Sequence, residues 1–245
     1  MTTAVPVLLY HGVGSAEDLW TVTPERFSQD VQAVLDSGRT VVSVASYVER
    51  LRAGGPLNGL AVISFDDGEA AQLTAAQELA AAGLPCTVYV TCEFLGRPGF
   101  LDTTSLRELA DVPGVEVGSH SVRHLHLDVL SREQIRTQVR DSRARLEDLL
   151  GQPVLGLAYP HGAHDRRVVD ETVSAGYTSA AAVKNALSHP RDLPMAVARQ
   201  TITARTSPDE VRALLRGEGR LGELRPRLRT RGFRVVRRAR HALGR

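Results

Sequence analysis

The chain has 245 residues, of which 42% are hydrophobic and 24% charged, a balance typical of a folded domain with a sizeable core. It has only two cysteines, Cys86 and Cys92, which excludes a disulfide framework and favours two reduced core residues. No apolar run is long enough to cross a bilayer, and the first residues lack the basic region of a secretory signal. We therefore expect a protein that is cytoplasmic or peripheral at the inner membrane face.

The formal net charge of +2 conceals two parts of opposite sign. Between Arg216 and Arg245 there are eleven arginines and two glutamates, a balance of +9, whereas the rest has 19 basic and 26 acidic residues, a balance of −7. Such an arginine-rich segment with a ragged apolar side predicts contact with an anionic membrane surface or a disordered solubilising tail. Nucleic acid ranks last as a partner, because the body is acidic and Phe233 is the one aromatic among these arginines.

Apolar runs and helically spaced apolar residues alternate along the chain. Two helix starts are well marked: Ser131 has Gln134 three positions later, and Ser207-Pro208 has Glu210. The predicted strands cover residues 5–10, 40–44, 60–65, 86–91, 115–118, 154–158, 178–183 and 196–202. The predicted helices cover residues 24–38, 46–52, 69–82, 105–110, 131–150 and 165–175, with a last helix from Ser207.

This alternation predicts a parallel sheet with crossover helices. Seven or eight strands in one domain favour closure into a barrel, although an open doubly wound sheet has the same pattern. We expect one domain over residues 1–205 and a C-terminal helix with an arginine-rich tail over residues 206–245.

The stretch LAVISFDDG carries two adjacent carboxylates at the C-terminal end of a predicted buried strand. The active sites of α/β folds lie at this end of the strands. Adjacent residues at a strand end point in different directions, so Asp66 and Asp67 can have different roles. A solvated Asp-Asp-Gly turn is the alternative.

Histidines cluster in GSHSVRHLHLDVLS, after the strand at 115–118. His120 and His124 are four positions apart, so on a helical turn they would share one face, with about 5–6 Å between Cβ atoms. Two imidazoles and a carboxylate, which Asp67 could provide, suit zinc or a related transition metal. A histidine-rich surface turn explains this pair equally well, and His126 lies out of phase with it and is interpreted as a bystander.

SFDDG followed about fifty residues later by HSVRH resembles the NodB-homology polysaccharide deacetylases, carbohydrate esterase family 4, and is most similar to their biofilm-polysaccharide branch. The resemblance covers roughly residues 5–205. It implies a distorted (β/α) barrel of about seven strands and a divalent metal, with Zn²⁺ preferred over Co²⁺ or Ni²⁺. Asp67, His120 and His124 would hold the metal, and Asp66 would be the catalytic base.

The resemblance also points to a general acid. LLYHGV resembles the N-terminal Tyr-His element of the biofilm branch, which implies that His11 protonates the leaving amine. Leu187-Ser188-His189 matches the Leu-x-His element of other members superficially. We favour His11, because it ends a predicted strand on the same barrel edge as Asp66.

A third element, LAYPHG, resembles the AYPYG form of this branch, which implies that Tyr159, Pro160 and His161 lie at the substrate and oxyanion position. It lacks the arginine that supports the base aspartate elsewhere in the family, and a histidine replaces the usual tyrosine. For Arg199 we favour a surface or core-rim role over pairing with Asp66.

The resemblance implies metal-dependent removal of N-acetyl groups from an amino-sugar glycan or glycan precursor. A metal lowers the pKa of water to around 7 and polarises the carbonyl, while Asp66 takes the proton and His11 supplies one. The alternatives are a deformylase or amidase acting on a non-polymeric amide, a catalytically impaired carbohydrate-binding homologue, and an adaptor that acts through its basic tail.

Overall fold

The computed structural model describes residues 4–218. Within them the strands are β1 (Val7–Tyr10), β2 (Gly12–Val13), β3 (Thr21–Val22), β4 (Thr40–Val41), β5 (Leu60–Phe65), β6 (Cys86–Val90), β7 (Val115–Ser119), β8 (Gly156–Ala158), β9 (Ser179–Ala181) and β10 (Gln200–Thr201). The helices are α1 (Pro24–Asp36), α2 (Val44–Arg52), α3 (Ala71–Ala81), α4 (Thr103–Asp111), α5 (Arg132–Leu150), α6 (Arg166–Ser174) and α7 (Pro208–Leu215).

The central sheet is parallel, with strand order β10-β1-β5-β6-β7-β8-β9, and β4 pairs with the beginning of β5. Residues 196–202 join the two ends of this order, because Val197 bridges to Ala181 in β9 and Gln200–Thr201 pairs with β1. The sheet thus curves into a distorted (β/α) barrel. The predicted fold class is confirmed.

The apolar runs of the sequence form the middle of the barrel. Every residue of β1, β5 and β6 is buried, as expected for parallel strands covered on both faces. The two cysteines are buried free thiols, as predicted. The predicted capping boxes at Ser131 and Ser207 are also present.

Some elements differ from their predicted bounds. The strand expected at 40–44 ends at Val41, because the Ser43 hydroxyl caps the helix that begins at Val44. The parallel pair of β2 and β3 was not predicted, since strands of two residues carry no periodicity. None of the helices among residues 4–218 is long and apolar enough to traverse a bilayer.

The C-terminal ends of the parallel strands meet at one edge of the barrel, and the candidate site residues follow these ends directly. His11 follows β1, Asp66 follows β5, His120 follows β7 and Tyr159 follows β8. Helix α7 packs against α1. The domain boundary at residue 205 stays a prediction, and the arginine-rich tail beyond residue 218 lies outside the described residues.

Candidate active site

Asp67, His120 and His124 come together at the carboxyl edge of the barrel. One ligand atom of each lies within 4.8 Å of the others, and Oδ1 of Asp67 is 3.6 Å from Nε2 of His120 and 3.3 Å from Nε2 of His124. One carboxylate and two imidazoles at these separations are a donor set for a divalent transition metal. The predicted grouping of these three residues is therefore present in the fold.

The orientation of His120 is set by a hydrogen bond behind it. Its Nδ1 lies 2.9 Å from the carbonyl oxygen of Ala158, and because a carbonyl can only accept, Nδ1 carries the proton. The lone pair of Nε2 is then directed at Asp67. A carbonyl that accepts from one ring nitrogen in this way fixes the orientation of a histidine whose other nitrogen can bind a metal.

His124 reaches the cluster from an irregular loop and not from the helical turn considered above. Ser121 and His124 have φ of 69° and 56°, and short serine contacts hold the loop in this shape. The Ser119 hydroxyl oxygen accepts from the Ser121 amide at 3.1 Å, and the Ser121 hydroxyl oxygen accepts from the His124 amide at 3.2 Å. Local side-chain hydrogen bonds thus replace helical ones here.

The electrostatics of the cluster favour a cation. Burial lowers the pKa of His120 to about 3 and also lowers that of His124, so both imidazoles are neutral. Burial, followed by the charges of Asp66 and Glu69, raises the pKa of Asp67 to about 7. Its buried Oδ1 has no hydrogen-bond partner. A bound cation would compensate this carboxylate, so the residues present fit a metal.

Asp66 is held by Arg199, which corrects the assignment of Arg199 to the surface or core rim. The arginine is fully buried, and its two terminal nitrogens donate to the two carboxylate oxygens at 2.6 and 2.7 Å. Residues 196–202 close the barrel and bring this side chain inside it. The missing arginine of the LAYPHG segment is thus replaced by one that comes 133 positions after Asp66.

The pair fixes the charge of Asp66. Burial alone would raise the pKa of this carboxyl, but the adjacent Arg199 guanidinium outweighs burial and holds the pKa well below its usual range. A bidentate arginine also fixes the plane of the carboxylate. Asp66 is therefore ionised and oriented, with Oδ2 at 3.7 Å from Nε2 of His120.

His11 lines the same cavity as Asp66 and the cluster of Asp67, His120 and His124. Burial lowers its pKa, and the charge of Asp66 partly opposes this shift, so the imidazole is neutral at pH 7. Its buried Nδ1 has no hydrogen-bond partner. The Gln72 amide donates to the carbonyl oxygens of His11 and Asp66, and so ties the ends of β1 and β5 together.

The Tyr159–His161 segment divides between cavity and core. His161 lines the cavity and its ring packs against His124, with ring centroids 4.4 Å apart. The side chains of Tyr159 and Pro160 are buried, and the Tyr159 hydroxyl donates to the carbonyl oxygen of Met195. Of the three predicted substrate residues, His161 is the one whose side chain lines the cavity.

Two other histidines occupy distinct positions. His126 stacks on His161 at 3.9 Å between ring centroids, so it is a neighbour of the site and not one of the three clustered residues. His189 follows Ser188, which bridges to Val5 before the start of β1, whereas His11 follows the end of that strand. Six residues of extended chain span about 20 Å, so His189 is at the opposite edge of the barrel.

The cavity at this edge has a volume of about 1110 Å³ and extends from the cluster of Asp67, His120 and His124 towards α7. Trp20, Glu69 and Arg205 line it as well. Trp20 belongs to none of the sequence motifs, and the pairing of β2 with β3 places it beside His11.

The fold and the cluster together define a (β/α) barrel protein with a candidate divalent-metal site. The sequence profile described as polysaccharide deacetylase matches residues 54–180. The chain belongs to the polysaccharide deacetylase family, as the two motifs predicted.

Individual relatives agree with this assignment. A Bacillus subtilis (strain 168) protein that carries the name polysaccharide deacetylase, YxkH, is 23% identical over 175 residues, which are 71% of this chain and 62% of that protein. The match thus spans about three-fifths of this curated relative.

Two solved structures share the fold. The Streptococcus pyogenes deacetylase PplD, solved in complex with acetate, has a TM-score of 0.78 at 21% identity, over 85% of this chain and 96% of that one. IcaB from Ammonifex degensii has a TM-score of 0.77 at 22% identity, over 86% of this chain and 97% of that one.

Proposed function

We propose that this protein is a metal-dependent hydrolase that removes N-acetyl groups from an amino-sugar glycan or glycan precursor. The observation that carries the proposal is the meeting of Asp67, His120 and His124 in one cavity with Asp66 and His11. Membership of the polysaccharide deacetylase family supports the same reaction class. The overall reaction breaks the amide C–N bond, adds water, and releases acetate and a free amine.

Asp67, His120 and His124 would hold the metal, and Zn²⁺ is the first candidate because imidazole and carboxylate ligands suit it. A divalent cation supplies Lewis acidity, which makes water more acidic and the amide carbonyl more electrophilic. The hydrogen bond from His120 to Ala158 keeps one ligand atom directed at this position without a metal.

Asp66 would accept the proton of the attacking water. Its pairing with Arg199 keeps it ionised and fixes its orientation. A carboxylate with so low a pKa is a weak base, so we expect it to orient the water and pass the proton on. His11 is the neighbour that can receive this proton, because it lines the same cavity and its buried Nδ1 has no hydrogen-bond partner. Burial lowers the pKa of His11, and the charge of Asp66 partly offsets this effect.

His11 would then donate a proton to the leaving amine. An amine is a poor leaving group unless it is protonated as the C–N bond breaks, so the reaction needs an acid at this point. His11 and Asp66 line the same cavity. His189 lies at the other edge of the barrel and cannot serve.

The pairing of Arg199 with Asp66 bears on one of the two alternative functions and leaves the other open. The catalytically impaired homologue was motivated by the missing arginine, and the pairing of Arg199 with Asp66 removes that ground. An amidase or deformylase acting on a small amide would use the same catalytic residues, so the test must compare substrates with and without a sugar.

The test measures amine release from N-acetylglucosamine oligomers by protein stripped with a chelator and then reloaded with Zn²⁺, Co²⁺ or Ni²⁺. We expect stripped protein to be inactive and reloading to restore activity. Asp66→Asn should keep the metal content and lose amine release, whereas His124→Gln should lose metal. Full activity of the stripped protein or of Asp66→Asn would contradict the proposal.

The acid is tested with a matched pair of histidine substitutions. His11→Gln should lower kcat about 100-fold or more, the usual contribution of a general acid–base group. His189→Gln should retain wild-type rates, because that residue is outside the cavity. If His189→Gln lowered kcat and His11→Gln did not, His189 and not His11 would be the general acid.

A further inference from the structure

Trp20 is an exposed aromatic residue at the rim of the active-site cavity. It is the single tryptophan of the chain and is 50% exposed. It lines the same cavity as Asp67, His120 and His124. Half of a large apolar ring in contact with water is surface that a ligand can cover with a gain in free energy.

Strand pairing sets the position of Trp20. Gly12 pairs in parallel with Thr21, so the residues immediately before them, His11 and Trp20, stand side by side. Their ring centroids are 5.2 Å apart. Burial increases from the exposed Trp20 through the half-buried His11 to the fully buried Asp66.

The loop that carries Trp20 is held at several points. Oδ1 of Asp18 accepts hydrogen bonds from the Trp20 amide at 2.7 Å and the Thr21 amide at 2.8 Å. The Leu19 carbonyl oxygen accepts from the Ala204 amide at 3.0 Å. A ring on a fixed backbone costs little further ordering when a ligand packs on it.

The rest of the cavity wall suits an uncharged, hydroxyl-rich ligand. Its volume of about 1110 Å³ is slightly above the roughly 300–1,000 Å³ of typical ligand pockets, far more than an acetamide group fills. Amide and hydroxyl side chains also line it, namely those of Asn185, Gln200, Thr201, Thr203 and Thr206. The carboxylates of Asp18, Glu69, Glu210 and Glu218 also line it, against the single arginine Arg205 among its described lining residues, which disfavours an anionic ligand such as a nucleotide-linked sugar.

We propose that Trp20 is the platform on which a pyranose ring of the substrate stacks, beside His11. The C–H face of the sugar covers the exposed indole, while its hydroxyl groups meet the polar wall. This assignment rests on the proposed function, since it names the sugar-binding surface of the same cavity.

The first test uses the fluorescence of the single tryptophan, which reports on the platform directly. Metal-loaded protein is titrated with β-1,6-linked and β-1,4-linked N-acetylglucosamine tetramers. We expect a saturable change with at least one tetramer, and the same change in Leu19→Ala, whose exposed side chain is the sequence neighbour that does not line the cavity. Amine release without any fluorescence change would overturn the proposal.

The second test separates stacking from support of His11. In Trp20→Ala, kcat/KM for the better tetramer should fall about tenfold more than that for p-nitrophenyl acetate, which has an acyl group and no sugar. The loss should appear in KM, and Trp20→Phe should recover most of it. Equal losses on both substrates, or no loss on the tetramer, would overturn the platform.

The proposed function fails by a different result. If wild-type, metal-loaded protein released no amine from either tetramer, deacetylation of these glycans would be refuted. Saturable fluorescence in that case would still support Trp20 as a sugar platform, and its absence would refute the platform too.

Discussion

Arg199 and Asp66 form a fully buried ion pair. The charge of each side chain offsets the cost of burying the other in the barrel interior. The guanidinium also donates to the Ala182 carbonyl oxygen, so little of its hydrogen-bonding capacity is wasted. Breaking such a pair leaves one charge buried without a partner, which costs about 3–5 kcal/mol. Loss of Arg199 should therefore affect both the free energy of unfolding and the proposed role of Asp66 in hydrolysis.

We predict that Arg199→Met lowers the free energy of unfolding by about 3–5 kcal/mol and abolishes amine release. Arg199→Lys should recover part of the stability but little activity, because lysine cannot bind both carboxylate oxygens in the same way. Denaturant unfolding and amine release measure the two effects.

The double variant Arg199→Met with Asp66→Asn is the control for the buried charge. It should unfold at higher denaturant than Arg199→Met alone while remaining inactive. If the second substitution gave no recovery, the cost of Arg199→Met would be a packing effect and not an uncompensated charge.

Sequence reasoning pointed to the cavity residues that belong to short motifs, and it missed Arg199, which belongs to none. Asp66, Asp67, His120 and His124 sit in patterns whose spacing is local, and His11 ends a recognisable strand. Arg199 has no local pattern that connects it to Asp66. A usable signal existed, because a lone arginine in an apolar strand needs a buried partner, but the sequence did not say which carboxylate would be that partner.

At the scale of elements, the β2–β3 pair is the unpredicted feature with the largest consequence, since it sets Trp20 beside His11. It depends on a glycine. A Cβ at Gly12 would lie 2.5 Å from the Thr21 hydroxyl oxygen and 2.9 Å from a Glu69 carboxylate oxygen, distances that side chains do not tolerate.

We predict that Gly12→Ala separates β2 from β3, lowers the free energy of unfolding by about 1–3 kcal/mol, and impairs hydrolysis of both the tetramer and the simple ester. Gly14→Ala is the matched control, because its Cβ would have one neighbour at 4.0 Å. Denaturant unfolding and both hydrolysis assays compare the variants. Equal effects of the two substitutions would show that the close approach at Gly12 has no special role.

Element types were predictable where the sequence carries a long pattern or a cap. The apolar run of β5 and the capping box of α5 are examples. Two-residue strands and the loop that holds His124 follow from tertiary contacts and serine hydrogen bonds, so periodicity could not indicate them. Side-chain hydrogen bonds also moved element boundaries from their predicted positions. At Ser43, for example, a helix cap ends the predicted strand early.

At the scale of the whole molecule, closure of the barrel was the step that the pattern of elements could not decide. Alternating strands and helices describe an open sheet and a barrel equally well. Closure depends on residues 196–202, which contact β9 at Val197 and β1 at Gln200–Thr201. This same segment places Arg199 and part of the cavity wall, so closure and site assembly depend on one stretch of chain.

The charge of the whole chain leads to a prediction about the arginine-rich tail, which lies outside the described residues beyond residue 218. The tail from Arg216 carries +9 and the remainder −7, so an anionic surface would attract the tail and repel the body. Basic residues near such a surface contribute about 1 kcal/mol each. We predict that the full chain sediments with phosphatidylglycerol vesicles and not with phosphatidylcholine vesicles, and that salt weakens this binding.

Replacing Arg237, Arg238 and Arg240 with glutamate should weaken that binding by about tenfold or more, because three attractive charges become repulsive. Lysine at the same three positions keeps the charge and should keep the binding, which separates electrostatics from a specific arginine contact. Hydrolysis of a soluble tetramer should be the same in all of these variants, since none of the residues proposed to bind metal, move protons or contact the sugar is changed. Unchanged vesicle binding in the glutamate variant would exclude the tail as a membrane contact, and retention on DNA in place of vesicles would make nucleic acid its partner.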